Sequence, residues 1–137
     1  MKKIILLFIS IITIGLTSVS CNKDDDNNST ATIEGKWIPS KEGETEATLT
    51  DYEHTAGCNK DYMIISSGGQ ISFYSYDNES GTCSESIDTG TWIRNGNTIT
   101  ISYEGVVVLE TEIINLTSSE LKTKDTADGF ITVFTRG

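Results

Sequence analysis

The sequence predicts an all-β fold, a small up-and-down antiparallel β-barrel of about eight strands. Beyond residue 32 the chain is a series of short runs in which apolar and polar residues alternate, the period of half-buried strands. Turn pairs such as Gly68-Gly69, Asn95-Gly96 and Asp128-Gly129 separate those runs, each offering the positive φ that tight reversals need. Proline occurs once, as Pro39, which suits strands joined in meander order. No segment of this region carries a convincing helical period.

The elements follow in chain order. Lys2 and Lys3 precede thirteen mostly apolar residues, Ile4 to Leu16. A basic start and an apolar run of this length form a secretory leader, too short for the roughly 20 residues of a membrane-spanning helix. Ser18-Val19-Ser20-Cys21 resembles the lipobox of bacterial lipoproteins, although Ser18 stands where Leu is usual. The resemblance implies cleavage after residue 20 and a lipid-modified Cys21 at the new terminus. Two or three acyl chains hold a protein durably on a membrane, where one holds it marginally. Residues 21–32, rich in Asn and Asp, have nothing to bury and read as a disordered acidic tether. Cys21-Asn22-Lys23-Asp24-Asp25-Asp26 also resembles the acidic signal that carries some lipoproteins to the cell surface. The expected location is the outer membrane, lipid-anchored and exposed at the cell surface.

The domain is expected over residues 33–137. Candidate strands are Ile33–Ile38, Tyr62–Ser66, Ile71–Tyr76, Ser86–Arg94, Thr98–Tyr103, Val106–Leu116, Glu120–Lys124 and Phe130–Arg136. Asn95-Gly96 should form a hairpin with both residues at positive φ. Residues 42–60 are polar and fit a short helix, an extra strand or a long loop. Alternation puts Ile71 with Phe73, and Ile99 with Ile101 and Tyr103, on inward faces. It groups Val107, Leu109 and Ile113 against Glu110 and Glu112. In the last run, Phe130 and Phe134 alternate with Ile131 and Val133, so both faces are apolar.

Gly35-Lys36-Trp37 in the first strand resembles the Gly-x-Trp signature of lipocalins, and Arg136 near the end of the last strand matches a second element of that pattern. The resemblance implies that Gly35, Trp37 and Arg136 close the barrel, with the guanidinium across the indole face, a contact worth about 0.5–2 kcal/mol. Gly90-Thr91-Trp92, followed by Asn95-Gly96-Asn97 and an Ile-x-Ile strand, is similar to the small lipocalin-like domains of bacterial lipoproteins. Those domains often carry cysteines placed as Cys58 and Cys83 are here.

With Cys21 lipidated, Cys58 and Cys83 remain as an even pair in an oxidising compartment. A disulfide between them would close a loop of about 26 residues and contribute roughly 3–4 kcal/mol. A metal pair and free thiols are the alternatives, but no CxxC spacing or nearby His favours zinc.

The charge narrows the partners. The chain carries −10, and loss of Lys2 and Lys3 with the leader takes it to −12. Such a surface repels phosphate backbones, so nucleic acid is not expected. Catalytic patterns are absent from the sequence, and an enzyme is not expected. His54 is the only histidine and reads as a solvated loop residue rather than a general base. Residues 77–81 hold oxygen ligands without the spacing of a calcium loop, so neither metal nor cofactor is expected. Asp125-Thr126-Ala127 resembles an O-glycosylation site of some envelope proteins. Phe73, Tyr74, Tyr76 and Trp92 are the candidate ligand-facing residues, with cross-strand packing as the plainer role. The leading functional expectation is a lipid-anchored barrel that binds a small apolar ligand. The alternative is a filled barrel that docks an envelope protein partner.

Overall fold

A computed structural model describes residues 31–137. The expected leader over residues 1–20, Cys21 and nearly all of the expected tether lie outside the described residues. Nine strands follow in order: β1 (Gly35–Gly43), β2 (Thr50–Asp51), β3 (Tyr62–Ile65), β4 (Gln70–Asp77), β5 (Ser84–Asn95), β6 (Thr98–Tyr103), β7 (Val106–Leu116), β8 (Glu120–Asp125) and β9 (Ile131–Arg136). Every pairing is antiparallel and joins sequence neighbours from β3 to β9. β1 pairs with β3 on one side and β9 on the other, which closes the sheet. Eight strands form the barrel, and closure leaves no long edge for a stray strand to join.

The ninth strand comes from the polar segment 42–60, which contains all three of its expected structures. A single 3₁₀ turn spans Glu46–Thr48, the two-residue β2 pairs with the end of β1, and residues 52–61 form a loop. Thr45 and Thr48 cap the turn reciprocally. This excursion lies over the outer face of β8 and β9, where Leu49 flanks a groove with Lys122 and Val133. Lys122 Nζ pairs with Glu46 there at 3.0 Å. Ile131 and Val133 are buried on the face opposite Phe134, which packs against the core. The last strand therefore does carry apolar residues on both faces.

The interior comprises Trp37, Met63, Ile65, Ile71, Trp92, Ile99, Ile101, Ile113 and Leu121, with Phe73, Tyr103, Leu109 and Phe134 packed against them. Val107 departs from the expected face. The β6–β7 register shifts between Ile101 and Ser102, and a bulge of this kind reverses the side-chain alternation beyond it. Val107 is consequently turned outward and 59 % exposed, beside Val106 and Val108, which are exposed at 65 and 51 %.

The hairpin geometry also differs from expectation. Asn95 pairs with Thr98, so Gly96 and Asn97 form the two-residue loop. Gly96 takes φ +61°, while Asn95 and Asn97 do not adopt positive φ, as suits a type II′ turn with Gly first. The turn with two left-handed residues is Glu104-Gly105, at φ 50° and 80°.

Candidate functional site

The barrel has a closed end and an open end. At the closed end the chain enters through residues 31–34 and passes beneath the strands. Ile33 is 2 % exposed and Trp37 is fully buried. Trp37 Nε1 donates to the Ile33 carbonyl at 2.7 Å. The Arg136 guanidinium lies 3.9 Å from the centre of the Trp37 ring. Its nitrogens donate to the carbonyls of Glu34, Thr32 and Ser118, tying the entering segment and the β7–β8 turn to the last strand. Gly35 adopts φ +129°, and a Cβ there would collide with Arg136 Nη1. The residue must be glycine for the clasp to close. Gly35, Trp37 and Arg136 thus meet as the sequence pattern implies.

Trp92 belongs to this same end. Its Nε1 donates to the Ser66 carbonyl at 2.9 Å, and its ring joins the core. Trp92 therefore does not share a face with Tyr74 and Tyr76. Those two side chains lie on the outer face with Tyr62, opposite the inward Ile71 and Phe73. Tyr62 and Tyr74 stack at 4.3 Å, Lys36 Nζ sits 3.8 Å above the Tyr62 ring, and Tyr76 donates to Glu85. The tyrosines form a cross-strand ladder outside the barrel. Of the aromatic candidates, Phe73 points into the barrel from near the open end, and Tyr74, with Tyr62, lines the cleft there.

At the open end a cleft of about 200 Å³ is lined by Pro39, Glu42, Tyr52, Asp61, Met63, Phe73, Ser75, Thr132 and Phe134, among others. Beneath it lies a smaller apolar cavity of about 50 Å³, walled by core residues with Thr111 and Thr123 as its only polar side chains. Met63, Phe73 and Phe134 line both spaces and form the neck between them.

The rim is ordered by polar contacts. Tyr52 donates its hydroxyl to Asp61 Oδ2 at 2.9 Å, and the Tyr76 backbone N–H donates to Asp61 Oδ1 at 2.9 Å. The Asp61 N–H donates to His54 Nδ1 at 3.0 Å. That nitrogen must be unprotonated, so the ring proton sits on Nε2 and is donated to the Pro39 carbonyl at 3.0 Å. His54 is thereby a neutral strut between loop and β1, not a solvated side chain. Burial first, then the hydrogen bond to Asp61, pushes the Tyr52 phenol from 10.0 up to about 12. The Cys58–Cys83 disulfide joins this loop to the β4–β5 hairpin, with Cα atoms 5.6 Å apart.

Glu42, Tyr52 and Asp61 escape sequence reading, because they sit in or beside a polar segment with no period. Only the folded chain brings them to Phe73 and Phe134. Glu110 and Glu112 are exposed, as their alternation suggests. Asp77 accepts from the Ser84 hydroxyl at 2.7 Å and closes its hairpin.

A family model described as a lipocalin-like domain matches residues 33–123, from the entering segment into β8. No curated protein and no solved structure gives a match.

Proposed function

The chain belongs to the lipocalin-like domain family, and from that premise we propose that its barrel binds a small, largely apolar ligand through the open end. The supporting observation is a graded cavity, with an apolar floor opening past Met63, Phe73 and Phe134 into a wider cleft. Affinity in such a site comes from removing ligand surface from water in a mostly preformed pocket. The space is small beside the roughly 300–1,000 Å³ of common ligand pockets. It fits a ligand of a few carbons, or the end of a longer one. Native mass spectrometry of protein purified without detergent should show a bound small molecule that Phe73→Trp, which narrows the neck, displaces. A ligand-free spectrum together with a stoichiometric crosslinked protein in intact cells would overturn this reading. The small volume of the deep cavity and the exposed Val106–Val108 segment favour that second reading, an envelope assembly module with a filled barrel.

The same proposal includes the anchor. Lipid on Cys21 would hold the domain at the outer membrane, with the closed end nearer the bilayer because the chain enters there, and the open end directed away. Metabolic labelling with a radioactive fatty acid should mark the protein and fail on Cys21→Ser; equal labelling of the two would remove the anchor.

A further inference from the structure

The open cleft has a polarity that the apolar floor does not explain. Its charged lining residues are Glu42 and Asp61, and no Lys or Arg is among its walls. The single ion pair among the described residues, Lys122 with Glu46, lies on the outside. Charged acceptors are present without any charged donor. The Tyr52 proton is committed to Asp61, so its phenol oxygen is left as an acceptor. Asp61 keeps free lone pairs after accepting from Tyr52 and Tyr76, since a carboxylate has about four acceptor sites. Glu42 forms no side-chain hydrogen bond or ion pair among the described residues. Pro39 has no N–H, and its carbonyl is taken by His54. The donors among the lining side chains are neutral hydroxyls, those of Ser75, Thr132, Tyr62 and Tyr74.

Such a lining complements a head group that donates hydrogen bonds and carries positive charge. We propose that the ligand is a short amphiphile with a protonated amine head, the head held by Glu42 and Asp61 and the apolar tail inserted past Phe73 and Phe134. This rests on the ligand-binding reading above and names the ligand's chemistry. A fatty-acid carboxylate would meet two like charges and no cation. The asymmetry also gives an orientation, since a tail-first ligand leaves its charge in the solvated rim, where desolvation costs least.

The test uses the full chain in lipid nanodiscs, isotope-labelled, with hexylamine, hexanol and hexanoate as probes at neutral pH. Affinities are read from the amide shifts of Asp61, Phe73 and Ser75, so partition into lipid is not counted. Hexylamine should bind about 5-fold tighter than hexanol, and hexanoate about 5-fold weaker, the scale of partly exposed charge pairs. Raising the salt should shrink both differences, and Glu42→Gln should narrow the amine-to-alcohol ratio about threefold. Three equal affinities, or hexanoate binding tightest, would overturn the amine assignment and leave the pocket standing. Silence of these amides toward all three probes would overturn both.

Discussion

Both ends of the barrel are held by polar contacts, but at one end these surround a buried aromatic core and at the other they frame an opening. At the closed end Trp37 is fully buried, and Arg136 donates to three carbonyls from separate segments. At the open end the bonds run sideways along the rim, through His54, Tyr52 and Asp61, and a disulfide supplies the remaining tie. The difference teaches that stability and binding capacity are separated along the barrel axis. Packing can be completed at one end because the entering chain fills it with Ile33. A cavity persists at the other because the rim is propped from outside its walls.

The largest expected effect lies at the closed end. Trp37→Ala removes the most buried large side chain and the surface on which Arg136 rests, so denaturant unfolding should show a loss of about 3–5 kcal/mol. A loss below about 1 kcal/mol would mean that this end does not dominate stability. Next comes the disulfide. Replacing Cys58 and Cys83 by Ser should cost about 3 kcal/mol through a freer unfolded chain. Hydrogen exchange should then quicken at the amides of Asp61 and Tyr76 before those of Trp37 and Arg136. Uniform quickening along the axis would erase the contrast drawn here.

Asp61→Ala should be smaller, about 1–3 kcal/mol, because two donors lose their acceptor. The same variant has a spectroscopic consequence. The Tyr52 phenol titrates near 12 in the folded chain against 10.0 unperturbed. Its contribution to stability is therefore complete below pH 10 and fades as pH rises toward 12. In Asp61→Ala the phenolate absorbance of Tyr52 should emerge at lower pH, and an unmoved titration would show that the rim bond does not exist in solution. Glu104→Asn is the smallest change and works in the opposite direction. Glu104 occupies a left-handed conformation that Asn tolerates better, so stability should rise by up to about 1 kcal/mol. No gain would place the turn in a different geometry.

The closed end was the legible half of the molecule. Strands such as Thr98–Tyr103 and Val106–Leu116 match their sequence ranges, because alternation over six or more residues leaves little ambiguity. Gly35, Trp37 and Arg136 were readable because a pattern of residue types fixes their meeting. The rim was not. Asp61 and Glu42 acquire their role from chain crossings that no local period encodes. Tyr76 misled because β4 is apolar on both faces, and period two says which residues share a face without saying which face is inside. Val107 misled for a related reason, since one extra residue in β7 reverses the parity beyond it.

The entering segment has a mechanical consequence. It is fastened to the last strand by Arg136, through the carbonyls of Thr32 and Glu34, before it becomes β1. Traction on the N-terminal side of the domain is therefore taken up first by that clasp. Beyond it, β1 is gripped along both flanks, by β3 and β9, so continued pulling must shear two ladders at once. The cleft lies at the far end of this load path. A pull on the entering segment therefore reaches the opening last.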